Sequence, residues 1–280
     1  MATETAGSSH PAAHYDRVHS AWRLIMGEEF HYGFFESADV PLDHATAALT
    51  AQMRDRAHLA TGDRVLDVGC GTGYQACDLA GRFGVSVLGI TTSAYGVAAA
   101  AQLAADRGID GATFEQRDGT GTGLPDAAFD VVWVMESSHL MRDRTALLRE
   151  CARVLAPLGR LVLCDITRKR EIPFLEVRAR RHDFATLRAA FGDAHMEPLE
   201  KYATTLADIG LTVADCSDIS RPTLPTFGAW RSNVEQHHDA LEHLLDPRGI
   251  DDFVDATHIL ESFWQDETLG YGILAAVKAP

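Results

Sequence analysis

The sequence predicts an α/β protein, a doubly wound sheet with helices on both faces and helical additions around it. Three observations carry this. Short apolar runs alternate with helical patterns from about residue 61 to residue 168. The first run leads into glycines at every second position, Gly69, Gly71 and Gly73. The chain closes on another strand-like run, "GYGILAAVKAP". Strands and helices at this spacing favour a parallel sheet covered on both sides.

The elements follow in order. Between Pro11 and Gly27, one helical face carries Tyr15, Val18, Trp22, Ile25 and Met26. An irregular aromatic stretch, "EEFHYGFFESADVPLD", precedes a second helical pattern from about Asp43 to Leu59. "TGDRVLDVG" reads as a turn and a short strand, and "YQACDLAGRF" as a helix with Ala76, Leu79, Ala80 and Phe83 on one face. "VSVLGI" is a buried-type strand, and the alanine-rich helix after it stops at Gly108. "ATFEQRD" and "FDVVWVM" are the third and fourth strands. "RTALLRECARVLAPLG" is a helix stopped by Pro157 and Gly159, and "RLVLCDI" is the fifth strand. A long amphipathic helix is expected over 173–191, with Phe174, Val177, Phe184, Leu187 and Phe191 aligned. A helix–strand pair over "LEKYATTLADIGLTVADCSDI" and helices around 229–245 and 252–264 complete the chain. The expected organisation of 1–280 is one domain. It comprises an N-terminal cap (11–60), a cofactor-binding core (61–168), lid insertions (169–198 and 220–267) and late strands (199–219 and 268–280).

Composition narrows the function. The chain has 25 basic and 40 acidic residues, a net charge of −15, which disfavours a nucleic-acid partner. Five cysteines without C-x-x-C spacing read as reduced thiols. The polar N-terminus has no apolar core of a secretory signal, and no run is long enough to span a bilayer, so a cytoplasmic location and no membrane partner are expected.

The glycines point to a nucleotide-type cofactor, and their spacing selects among candidates. A P-loop needs a lysine that is absent here. A dinucleotide fingerprint would place its third glycine at Tyr74 and an acid after the second strand, where Thr91, Thr92 and Ser93 stand instead. The pattern present is D-x-G-x-G-x-G from Asp67. A carboxylate before the turn repels phosphate and suits an ammonium group, which fits S-adenosyl-L-methionine. Asp118, ending the third strand, is placed to accept from an adenine amino group.

These motifs resemble the class I S-adenosylmethionine-dependent methyltransferases. "VLDVGCGTG", "LPDAAFDVVWVMESSHLM" and "LRECARVLAPLGRLVLCD" carry the resemblance over about 60–170. "HYGFFE", "ESSHLMRDR" and "ISRPTLPTFGAW" extend it toward the natural-product small-molecule subgroup that includes the rebeccamycin-type sugar O-methyltransferase. The resemblance implies a Rossmann-like seven-stranded sheet of order 3-2-1-4-5-7-6, with the last strand antiparallel, beneath a helical lid. It implies cofactor contacts from Asp67, Gly69, Cys70, Gly71, Thr91, Thr92, Ser93, Asp118, Gly119 and Glu136, with Tyr32 closing over the cofactor. The ribose-binding acid usual in the family is missing at 91–93.

Methyl transfer from a sulfonium is an in-line displacement, so alignment dominates, and a hydroxyl acceptor also needs a base. His139 follows strand four and Asp165 ends strand five, at the sheet edge where open α/β folds bind ligands. They are the expected base and its orienting acid. Leu140 stands where the sugar O-methyltransferases carry a second histidine. Ser138, Phe35 and Arg181 are candidate acceptor contacts, although the Arg178, Arg180 and Arg181 cluster also fits a solvated helix face. No metal is expected, and His237 and His238 read as surface residues. The expected partner is a small natural-product acceptor, with the chain a monomer or homodimer. O-methylation, N- or C-methylation, and a non-methylating reaction such as cyclisation all stay open at this point.

Overall fold

The computed structural model describes residues 20–37, 39–245 and 247–280. Tyr15 and Val18 of the first helical pattern lie outside them; residues 20–26 form helix α1. In chain order the core runs α2 (Leu42–Ala57), β1 (Arg64–Val68), α3 (Tyr74–Phe83), β2 (Ser86–Thr91), α4 (Ala94–Arg107), β3 (Ala112–Gln116), β4 (Phe129–Met135), α5 (Arg144–Val154) and β5 (Leu155–Arg168). Then come α6 (Phe174–Ala179), α7 (Arg181–Phe191), α8 (Leu199–Asp208), β6 (Leu211–Asp218), α9 (Ser220–Thr223), α10 (Thr226–Gln236), α11 (His238–Leu244), α12 (Pro247–Gln265) and β7 (Leu269–Lys278).

The seven strands are ordered β3-β2-β1-β4-β5-β7-β6. β1 to β5 pair in parallel, and β7 runs antiparallel between β5 and β6. Alternate side chains of the strands feed two cores. Val65, Val131, Trp133 and Val162 face the layer holding α2 and α3. Leu66, Val132, Val134 and Leu163 face α5 and α8. Burial on both faces is why β4 reads as an unbroken apolar run rather than an alternating one.

The helix expected around 229–245 is two helices, α10 and α11, meeting at His237, and two further boundaries differ from the sequence reading. The helix before β5 ends at Val154, and Leu155–Gly159 already belongs to the strand, where the pairing jumps from Phe129↔Leu155 to Val131↔Arg160. Pro157 has no N–H to continue the helix, and Leu158 takes a left-handed φ of 60°. The expected long helix over 173–191 is two helices broken at Arg180 (φ −94°, ψ 21°). The Arg180 guanidinium holds that break. It bonds Asp183, Asp266 and Ser262 and lies 3.6 Å from the centroid of the Phe263 ring. Only the second half of the pattern is used for packing, because Phe174 and Val177 are exposed.

Candidate active site

The strand order reverses between β1 and β4, and a cavity of about 690 Å³ opens at their carboxyl ends. The glycine turn forms its floor, and its two leading glycines have different tasks. Gly69 (φ 83°) lies under the loop after β4, where an added Cβ would stand 2.2 Å from the Cβ of Ser137. That loop is pinned by Ser137 Oγ, which donates to the carbonyl of Val68 at 2.6 Å. Gly71 faces open space within the cavity. Both conformations lie in the left-handed region that favours glycine.

Asp67 is buried, and its Oδ2 has no hydrogen-bond partner among the described residues. Burial without a donor pushes its carboxyl up to about 7. An orphaned carboxylate oxygen at the edge of a cavity fits a ligand that brings its own cation. Cys70, Thr91, Thr92, Asp118 and Gly119 line the same space. Ser93 is not among the lining residues, because its Oγ caps α4 by accepting from the Gly96 N–H at 3.0 Å.

The remaining wall is a buried polar cluster that carries no spacing signature in the sequence. The imidazole of His31 lies 2.9 Å from Glu29 Oε2 and donates through Nδ1 to the Tyr32 carbonyl at 2.7 Å. Thr50 of α2 and Gln75 of α3 both donate to the same Glu29 oxygen. Burial opposes charge on His31, but the Glu29 and Glu136 carboxylates outweigh it and raise its pKa. Burial likewise opposes the Glu29 charge, and its bonds to His31, Thr50 and Gln75 prevail and lower its pKa. This cluster ties the N-terminal segment to the core along one side of the cavity.

A second cavity, about 360 Å³, lies between the sheet and helices α7, α10 and α12. Tyr32, Ile166, Phe184, Phe191, Trp230 and Leu260 supply apolar wall. Glu136 lines both cavities and so marks their junction. Its backbone has a left-handed φ of 46°, rare for a residue other than glycine, and its Oε1 accepts from Tyr32 N–H (2.9 Å) and Tyr271 Oη (2.5 Å). Burial raises the Glu136 carboxyl above its ordinary value, against the pull of His31 and these donors.

His139 opens onto this second cavity. Its Nδ1 lies 2.5 Å from Asp165 Oδ1, and its backbone N–H donates to Asp165 Oδ2 at 2.9 Å. Asp165 is fully buried and also accepts from Ser138 Oγ and the Ile166 N–H. Burial disfavours both charges, yet each stabilises the other, so His139 is raised and Asp165 lowered. A carboxylate on Nδ1 fixes the tautomer and leaves Nε2 as the proton-accepting nitrogen.

Three candidate acceptor contacts stand elsewhere. Ser138 is wholly buried behind His139, where its hydroxyl holds Asp165 and Tyr202. Phe35 packs beneath Gly33, with its N–H on the Pro222 carbonyl, and lines neither cavity. Arg181 is exposed at the start of α7 and lines neither cavity, because the apolar side of α7 is the one turned inward. Tyr32 belongs to the second cavity, while its neighbours Glu29, Phe30 and His31 line the first. His238, Asp239 and Glu242 lie close together on α11, all exposed and outside both cavities.

Comparison with known proteins matches this geometry to a family. Residues 66–163 match the family described as a methyltransferase domain. The chain is 32% identical over 265 residues to 27-O-demethylrifamycin SV methyltransferase of Amycolatopsis mediterranei, covering 94% of this chain and 95% of that one. The chain belongs to the class I S-adenosylmethionine-dependent methyltransferases. Methyltransferase GfsG of Streptomyces halstedii is also 32% identical, over 76% of each chain. Among solved structures, the [4+2]-cyclase SpnF aligns with this methyltransferase at 28% identity and a TM-score of 0.77, over 95% of this chain and 93% of that one. The cyclopropane synthase MmaA2 from Mycobacterium tuberculosis shares the fold at 17% identity and a TM-score of 0.82, over 95% and 96% of the two chains. S-adenosylmethionine is therefore the cofactor of this methyltransferase. None of its described helices is long and apolar enough to cross a membrane.

Proposed function

We propose that this methyltransferase transfers the cofactor's methyl group to a hydroxyl of a small, largely apolar natural product, with His139 as general base and Asp165 as its orienting acid. The supporting observation is the His139–Asp165 pair on an apolar cavity that meets the larger cavity at Glu136. In this reading the larger cavity holds the cofactor. Asp67, Gly69, Cys70 and Gly71 take the methionine end, Thr91 and Thr92 the ribose, and Asp118 and Gly119 the adenine. The bound cofactor supplies an activated methyl group; the protein aligns the acceptor and removes its proton. The same reading expects a cytoplasmic enzyme with reduced cysteines and no nucleic-acid partner.

The 28% likeness to a [4+2]-cyclase favours a second reading, a cofactor-retaining cyclisation. Such a reaction on a neutral polyene needs no base. Incubation with methyl-labelled cofactor and a panel of hydroxylated and amine acceptors separates the two. Label transfer to hydroxyl acceptors, reduced by about 10²- to 10⁴-fold in His139→Ala, is expected. Cofactor binding without label transfer to any acceptor, or turnover indifferent to His139→Ala, overturns the base assignment.

A further inference from the structure

Tyr32, a ring of the second cavity, sits at the centre of an aromatic cage. Its centroid lies 5.0 Å from that of Trp230, 5.1 Å from Tyr271, 5.6 Å from Phe227 and 5.7 Å from Trp264, the last stacked at 7°. Its main chain is held as firmly, by Glu136 on the N–H and His31 on the carbonyl. Tyr32 is 3% exposed and lines the cavity. A buried tyrosine hydroxyl normally has a hydrogen-bond partner. That of Tyr32 is open to the cavity instead: among the described residues the bonds of Tyr32 are those of its backbone, and its hydroxyl is not one of the buried polar atoms left without a partner. A rigid ring with its hydroxyl open to a cavity that carries Glu136 and His139 beside its apolar wall is a polar contact for a ligand.

We propose that the Tyr32 hydroxyl donates to a second, neutral oxygen of the acceptor, a carbonyl or an ether, and so selects an oxygenated apolar scaffold rather than a plain alcohol. This rests on reading the second cavity as the acceptor site. The Tyr32 phenol stays protonated, because burial and then the Glu136 and Asp165 carboxylates oppose its ionisation, so it is available as a donor. The same two carboxylates repel a carboxylate or phosphate, which leaves an uncharged oxygen as the partner. That oxygen is not the methylated one. Donation to the attacking oxygen would engage electron density needed for the new carbon–oxygen bond and would compete with His139.

The test uses calorimetric titration of the full-length chain saturated with S-adenosylhomocysteine. The probes are hydroxytetralones differing in carbonyl position and the hydroxytetralin that lacks the carbonyl, all small enough for this cavity. Wild type should bind one ketone isomer about 3- to 10-fold more tightly than the hydroxytetralin, the range of one net hydrogen bond. Tyr32→Phe, which removes a single oxygen from a caged ring, should lose that preference and keep the hydroxytetralin affinity. Equal binding of ketones and hydroxytetralin by wild type, or a preference that survives in Tyr32→Phe, overturns the subsite alone. Failure of every probe to bind overturns the acceptor-site reading, and the subsite falls with it.

Discussion

The Nδ1 of His139 lies 2.5 Å from Oδ1 of Asp165, a carboxylate with no exposure to solvent. The two residues stand 26 positions apart in sequence and meet because β4 and β5 are parallel neighbours, with the last residue of β4, Met135, paired to Cys164 just before Asp165. Burial alone would keep the imidazole neutral, but the adjacent carboxylate raises its pKa. In the proposed mechanism His139 must first lose a proton that it holds more tightly than a free histidine. The rate should rise with pH through a midpoint above about 6.5, the ordinary histidine value. Asp165→Asn removes the charge, so that midpoint should move down while the rate on the plateau falls. A pH–rate profile of both proteins checks the two effects together. The pair also couples stability to pH. The lowered Asp165 pKa contributes stability that is lost as pH falls through its folded value. The raised His139 pKa contributes stability that is lost as pH rises through its own.

Arg144 connects this pair to the segment that follows α7. It is buried at the start of α5, its Nη2 donates to the His195 carbonyl at 2.7 Å, and the His195 N–H donates to the His139 carbonyl at 2.7 Å. Its guanidinium also lies over the Tyr202 ring and disfavours a proton on His139. Arg144→Met should loosen residues 193–196, raise the acceptor KM and move the midpoint of the pH–rate profile upward. Arg144→Lys should restore the midpoint but not the KM. Hydrogen exchange over 192–198, read with the kinetics, distinguishes the clamp from the charge.

Asp67 should link cofactor binding to pH. Burial holds its carboxyl at about 7, well above the unfolded value, so its ionisation in the cofactor-free protein is unfavourable. The sign follows: its contribution favours the folded state at low pH and is lost as pH rises from about 4 toward 7. A ligand cation beside it offsets the loss. Thermal melts at pH 5 and pH 8 should show S-adenosylmethionine stabilising wild type more at the higher pH. In Asp67→Asn that difference should shrink, and the cofactor should bind more weakly at pH 8.

Gly69 tests the turn independently of chemistry. An alanine there must hold a φ of 83° and place its Cβ 2.2 Å from that of Ser137. The expected loss is roughly 2–4 kcal/mol, from left-handed backbone strain plus overpacking. Gly71→Ala shares the backbone strain but meets open space, so it should lose less stability and more cofactor affinity. Denaturant unfolding and cofactor titration of the two variants should rank them oppositely.

The sequence by itself determined the core and the cofactor. Apolar runs at β1, β2 and β4 and the helical stripe of α3 are local patterns, set by the periods of strand and helix. Asp67 and the glycines sit within seven consecutive positions and carry the cofactor signature in that spacing. His139 and Asp165 were legible because strand ends in an open α/β sheet converge on one edge. Tertiary structure alone decided what lies off that edge. Phe35 and Arg181 look like acceptor contacts in sequence, yet one is taken up by packing and the other is left in solvent. Ser93 is drawn into a helix cap. Glu29, His31, Thr50 and Gln75 share no spacing and meet only when the N-terminal segment folds over α2 and α3. The second cavity is likewise assembled from α7, α10, α12 and the segment around Tyr32. Its shape depends on how separate helices pack against one sheet, a relation between distant residues that no local period encodes.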